Sequence, residues 1–552
     1  MVAIAALLSL AQTGALAAPV GGQVATGAAS ITANGAVTTV LQASDRAVID
    51  WSSFNLAAGE TARFIVPNSS SATLNRIVGG GVSTISGTVE SNGVVYFSNP
   101  NGLVFDASSR VMANGFLATS GAISTAQFMS RSESKSFGTA GITLNGMIVA
   151  PAITARAAKV TVGGTLTAGS GRIDLASTGL TVIGQGAVIS ADGGGSGNAG
   201  TVRLWSDGHT DFLGRIKAQG SFVEVSGKQS LNFRGTVDTR AAGGKAGTLL
   251  LDPATIEIVT TAGFSPAISY ITVADLVTAL STNNVIIDAN GSTTSGLGVA
   301  PTLGSAGSGT ITLVDDVTAT VGAFSLTLTG SQIFLRANLG LVGGLSLNSS
   351  RASVWQELSK SITAESLTGS SVDGFILNGA NHFASLGAIT NRGSGGISVT
   401  NAQALTMGSG VLDGGAGRVA ILVPGFDLTL VGPATVKGRG FRLDVGSAHI
   451  LGGQTIAVSG GDAFVTSALV GNSAELDLGA GDLVFVIDRR ASNAIFSFTN
   501  NDPLLPDFPL ATSGLTVTTT GSTVEKGVVS GGVVFLEGVT TGPARDLRYI
   551  EG

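Results

Sequence analysis

The residues best suited to chemistry here are carboxylates and three histidines, and their spacing does not assemble them into a site. Asp315-Asp316 is the one adjacent carboxylate pair. Paired carboxylates could cleave a glycosidic bond, or hold calcium in a polysaccharide lyase. Neighbours on a strand point to opposite faces, however, so these two read as solvated turn residues. Asp207-Gly208-His209-Thr210-Asp211 gathers polar groups beside Trp205 and could hold a metal or a sugar, but reads as an exposed loop. His382 and His449 follow no metal-ligand spacing. The run Gly193 to Asn198 lacks the periodic aspartates of a calcium repeat, and no phosphate-loop Lys-Ser/Thr follows it. With no cysteine, disulfides and thiolate zinc sites are excluded. The expectation is a non-enzyme with no catalytic residue, no metal site and no cofactor.

Composition agrees. The 552 residues include 81 glycines, 43% are hydrophobic, only 12% are charged, and the net charge is −6. Phosphate backbones need clustered Lys and Arg, so nucleic acid is not an expected partner. Disorder needs low hydrophobicity, which this chain does not have. Val, Ile, Thr, Leu and Phe alternate with Gly, Ser, Asn and Asp almost throughout, the alphabet of strands and turns. Uniformity over such a length points to an elongated repeat rather than several compact domains.

The elements follow. Ala47 to Trp51, Ala62 to Val66 and Val94 to Phe97 each alternate, placing one face inward. Further on, Arg172 to Leu175, Leu180 to Ile183, Ala187 to Ser190 and Thr201 to Trp205 recur between Gly-rich turns. Two or three such strands make one coil of about 22 residues, which buries its apolar face only by stacking on its neighbours. An antiparallel sandwich also has many short strands, but here Gly turns outnumber hairpin Asn-Gly pairs. The expected fold is all-β: a right-handed parallel β-helix, or solenoid.

One segment departs from it. Val273, Leu276, Val277 and Leu280 recur at helical spacing behind Thr272, predicting a short amphipathic helix near 272–281. Just before it, Pro253 cannot donate to a ladder, which sets a soft boundary near 255. Residues 18–255 form the first part and 256–552 further β-helical repeats, with a Pro-rich loop near 500–510. At the front, an apolar run from Val2 to Ala11 precedes Ala15-Leu16-Ala17, a small-x-small cleavage signature. Residues 1–17 read as a signal peptide. No Lys or Arg precedes the run, which leaves room for a start upstream of Met1.

The strongest motif is Asn99-Pro100-Asn101-Gly102, set between the strands Val94 to Ser98 and Leu103 to Phe105. Pro100 fixes φ and Gly102 accepts a positive φ, so the turn is pre-set. In order before it stand Ile49-Asp50-Trp51, Phe54-Asn55, Phe64, Leu74-Asn75-Arg76-Ile77, Ser83 to Gly87, and Asn92-Gly93. This series resembles the two-partner secretion domain of filamentous-haemagglutinin-type exoproteins, over residues of about 20 to 125 and more weakly to about 250. An earlier Asn-Pro-Asn-Leu motif, found in some members, is absent.

The resemblance implies a secretion motif at Asn99, Pro100, Asn101 and Gly102. Trp51, Phe54, Asn75, Arg76, Asn92 and Gly93 are its supporting positions. It implies a secreted or cell-surface protein of a Gram-negative bacterium, exported through an outer-membrane β-barrel transporter with periplasmic recognition domains. An adhesin or surface component is the implied role, with a host or cell-surface receptor or glycan as the second class of partner. The alternative is a β-helical carbohydrate-active enzyme, a lyase or hydrolase, which needs three or more carboxylates or bases on one solenoid face.

Overall fold

The computed structural model describes residues 18–132, 136–193, 200–241, 246–263, 268–290 and 309–450, and further along only separate strands between 455 and 537. The expected signal peptide, the Pro-rich loop and most of the glycine run after Gly193 lie outside the described residues. The chain forms two compact units, one ending at Gln219 and one beginning at Gly220. Both are parallel β-solenoids.

Alternation explains the first unit. In the strand Val94–Ser98, Val95 and Phe97 are fully buried while Val94 and Tyr96 are half-buried. The strand lies parallel between Ala72–Ile77 and Gly115–Thr119, with Asn75 opposite Phe97 and Phe97 opposite Ala118. Those steps of 22 and 21 residues match the expected coil length. A second row stacks Ser83–Ile85, Leu103–Phe105 and Gly141–Leu144. A third stacks Val37–Gln42, Thr61–Ile65, Thr88–Ser91 and Arg110–Met112. Each coil therefore has three sides around one apolar interior. Trp51, Phe54, Phe97, Phe105 and Phe116 meet there edge-on, with successive centroids 5.3, 5.1, 5.9 and 5.2 Å apart.

Three features of this unit differ from the expected coils. Its first strands are antiparallel: Gln23–Thr26 runs against Arg46–Trp51, and Ala29–Asn34 against Val37–Gln42. The second pair turns at Gly35-Ala36, between the partners Asn34 and Val37, and Gly35 has φ 57°, as a tight hairpin requires. A helix not expected from the sequence, α1 (Thr125–Met129), follows a capping box of Ser124 and Gln127. It lowers Phe128 onto Val48, Leu74 and Leu117, apolar residues on the outer side of the sheet. Finally, the segments Arg172 to Leu175 and Leu180 to Ile183 belong to one 12-residue strand, Arg172–Ile183, which turns the corner without breaking.

In the second unit Phe222–Gly227, Thr248–Pro253, Asn284–Asp288, Leu326–Gly330 and Leu345–Ser349 form one parallel row. Pro253 stands opposite Gly227, whereas the ladder on its other side stops at Leu251 and Ile287. The missing N–H ends it. The strand Ile256–Val259 then pairs with Ser269–Thr272 and Thr310–Leu313, so coils continue past residue 255. Helix α2 (Val273–Leu280) forms where its periodicity predicts, with Thr272 as N-cap and Leu276, Ala279 and Leu280 buried. Behind it, Asn283 closes the strand Thr236–Asp238: its amide donates to the Val237 carbonyl at 2.9 Å and its oxygen accepts from the Thr239 N–H at 3.0 Å. The Thr282 hydroxyl donates to the same Val237 carbonyl at 2.8 Å, so two adjacent side chains stand in for a neighbouring strand.

Candidate functional site

The Asn99–Gly102 turn closes by a backbone bond from the Gly102 N–H to the Asn99 carbonyl at 3.0 Å. Gly102 has φ 108°, and a Cβ there would come within 2.8 Å of the Gly141 carbonyl in the next coil. Glycine is needed twice over, for conformation and for space. Asn99 is fully buried. Its amide donates to the Gly81 carbonyl and to the Ser83 hydroxyl, both at 3.0 Å, and its oxygen accepts from the Asn101 N–H at 2.9 Å. Pro100 and Asn101 face solvent. The Asn101 amide still reaches the Gly79 carbonyl at 2.9 Å. The turn thus pins the loop 79–81 of the preceding coil.

The supporting residues lie in the same unit but serve different places. Trp51 and Phe54 are interior aromatics. Asn75 is buried and accepts from the Trp51 indole at 3.0 Å. Asn92 uses both ends of its amide on the backbone of Val66, at 2.8 and 2.7 Å, as a strand would. Gly93 must be small, because a Cβ would meet the Val66 side chain at 2.3 Å and the Ser71 carbonyl at 2.4 Å. All of them hold coil to coil.

Arg76 differs, because it points outward. Its guanidinium grips Asp50 through two bonds, at 2.6 and 2.8 Å, and also donates to the Thr125 hydroxyl of α1 at 3.2 Å. The Asp50 hydrogen bond holds the Arg76 pKa above its ordinary value, against the opposing effect of burial. Two further contacts fasten the helix: Arg46 stacks 3.9 Å from the Phe128 centroid, and Arg131 pairs with Asp45 at 2.7 Å. Nothing in the motif series signals this clamp, because its partners are 49 and 86 residues apart.

Farther along the same unit, Arg156 is buried against Asp174 at 2.9 Å, and Arg172 reaches the same carboxylate at 2.6 Å. Burial pushes the Arg156 pKa down to about 10, although Asp174 works the other way. One buried carboxylate thus serves two guanidiniums, that of buried Arg156 and that of half-exposed Arg172.

The residues that could have carried catalysis are dispersed. Asp315 accepts from the Thr260 N–H at 2.6 Å, while Asp316 accepts from the Asn338 backbone and amide at 2.8 and 2.9 Å. Each aspartate ties a different pair of coils. His209 and Asp211 lie on a strand, His209–Phe212, rather than in an exposed loop, because Thr210 and Phe212 alternate inward. Asp207 accepts from the Trp205 indole at 3.2 Å. His382 stands opposite Thr363, and His449 belongs to the strand Gly440–Ile450. Among the described residues no three His, Asp or Glu side chains come close enough to share a metal ion.

A family model described as the TPS secretion domain matches residues 15–300, slightly more than half of the chain. The chain belongs to this two-partner secretion family. The match contains the whole motif series and both helices. Among curated proteins, a heme/hemopexin-binding protein of Haemophilus influenzae is 40% identical over 81 residues, 15% of this chain and 9% of the relative. The same-named protein of the Rd strain is 34% identical over 101 residues, 18% and 11% of the two chains. The chain thus spans about a tenth of the length of those relatives. Among solved structures, the HMW1 secretion domain from Haemophilus influenzae aligns with a TM-score of 0.23 and 14% identity, covering 91% of this chain and 100% of that one.

Proposed function

We propose that this two-partner secretion protein leaves the cell through an outer-membrane β-barrel transporter whose periplasmic domains read its first coils, and that it then serves as an adhesin or surface component. The export module is residues 18–255, and residues 256–552 are further solenoid carried behind it. The observation that most supports this reading is the Asn99–Gly102 turn, complete in sequence and fastened to the loop 79–81 of the preceding coil, within the family match. A binding rather than catalytic role outside the cell is supported by the engagement of Asp315 and Asp316 as ties between coils. The haem and hemopexin binding named for the relatives belongs to proteins of which this chain spans about a tenth.

Expression in a Gram-negative host with and without the cognate transporter tests it. The chain is expected in the medium or on the surface only when the transporter is present. Equal release without the transporter would overturn the export reading. Unchanged attachment of cells lacking the chain would overturn the adhesin reading alone.

A further inference from the structure

The second unit carries an open groove of about 540 Å³ on its outer surface, crossing three coils at Thr318, Gly340 and Thr363. These residues stand opposite one another in the parallel ladder of Val317–Thr318, Leu339–Gly340 and Ile362–Ser371. Gly340 opens the middle of the row: it has no side chain to fill the space between the two threonines. The groove crosses two strand steps, about 10 Å.

Its chemistry is specific. Thr318, Thr320 and Thr363 are exposed, with the Thr318 methyl beside the space at Gly340, and exposed Val342 adds an apolar surface. One wall is rigid, because Asn338 accepts from the Ser361 N–H at 2.9 Å while donating to Asp316 at 2.9 Å. No Lys or Arg lines the groove, so it does not suit phosphate or sulfate. The backbone is already used: Val317, Ala319, Leu339 and Leu341 each donate to the next coil at 2.8–3.0 Å. A peptide strand finds no edge to extend.

A ligand for such a groove is uncharged, carries hydroxyls that both donate and accept, and presents an apolar C–H face. We propose that the groove at Gly340 binds a short neutral oligosaccharide. The proposal deepens the adhesin reading above, and rests on it only for the ligand's place on a cell surface.

The test uses the purified full chain and isothermal calorimetry against β-linked di- to tetrasaccharides of glucose, galactose and N-acetylhexosamine. A sulfated oligosaccharide and an extended peptide are run as controls. At least one neutral oligosaccharide is expected to bind. Gly340→Val should weaken it at least tenfold without unfolding the chain, since a Cβ there meets nothing closer than 3.7 Å. The isosteric pair Thr318→Val and Thr363→Val should do the same, and decides the matter if Gly340→Val lowers the melting temperature. No binding by any neutral sugar, preference for either control, or affinity retained in both variants would each overturn the proposal. Cell attachment that survives Gly340→Val would sink the groove while leaving adhesion standing.

Discussion

The indole N–H of Trp51 donates to the side-chain oxygen of Asn75 at 3.0 Å, and the Asn75 amide donates onward to the Tyr96 carbonyl at 3.2 Å. One buried amide therefore links three consecutive coils, those of Trp51, Asn75 and Tyr96. Asn75→Leu keeps the size but leaves the Trp51 N–H without an acceptor, a cost of about 1–3 kcal/mol. A thermal melt of the variant should show a clear downward shift. An unchanged midpoint would mean that this amide is not structural.

At the motif turn two substitutions separate folding from recognition. Gly102→Val places a β-branched residue at φ 108° and 2.8 Å from a carbonyl, at a cost on the order of 1–3 kcal/mol or more. Asn101→Ala removes an exposed side chain and one bond to Gly79, worth about 1 kcal/mol. If the turn acts through stability, secretion falls in step with the melting temperature and Gly102→Val is worse. If Asn101 contacts the transporter, Asn101→Ala loses export while its melting temperature holds. Parental secretion by both variants refutes any role for the turn in export.

Acid should weaken a neighbouring turn. Burial raises the Asp106 pKa, but the Ser86 and Ser108 hydroxyls and the backbone N–H groups of Ser108 and Ser109 outweigh it and hold it below the ordinary carboxyl range. A carboxylate with a lowered folded pKa stabilises the fold above its unfolded value, and that gain is lost as pH falls through the folded value. The stability gap between the parent and Asp106→Asn should thus be full near neutrality and shrink below about pH 4. Denaturant melts at several pH values measure it. A gap independent of pH would contradict the assignment.

In the second unit, Asn283→Ala should expose the edge of Thr236–Asp238. It leaves the Thr239 N–H without its acceptor, while the Val237 carbonyl keeps the Thr282 hydroxyl, and the expected loss is about 1–3 kcal/mol. Hydrogen exchange at Thr239 should accelerate before the rest of the unit opens. Protection equal to the parent would show that the side chain is dispensable.

Much of this was legible because strand alternation and coil length are local. Phe97 faces inward with Val95, two residues before it, as strand alternation predicts, and α2 lies where Val273, Leu276, Val277 and Leu280 predict it. What stayed hidden was short or distant. Helix α1 has five residues with Phe128 its one buried side chain, too few to show a period, although Ser124 and Gln127 announced its cap. The corner of the continuous strand Arg172–Ile183 lies at Thr178-Gly179, which its ladder skips between Ser177 and Leu180, and a glycine there reads in sequence as a break between two strands. The role of Asn99 depends on Gly81 and Ser83, 18 and 16 residues earlier, and the identity of a turn residue does not reveal such partners.

The reversed strands at the front have a consequence for crowding outside the cell. A stack of parallel coils is a template, and an uncovered end would recruit the coils of another molecule into a growing fibre. Ala29–Asn34 runs against its neighbour and presents mostly exposed, small and polar side chains. Gln23–Thr26 does the same for the adjoining row. A second copy meeting that end finds reversed polarity and cannot continue the parallel register of the coils. Coil-on-coil growth from one molecule into the next is thereby interrupted at that end.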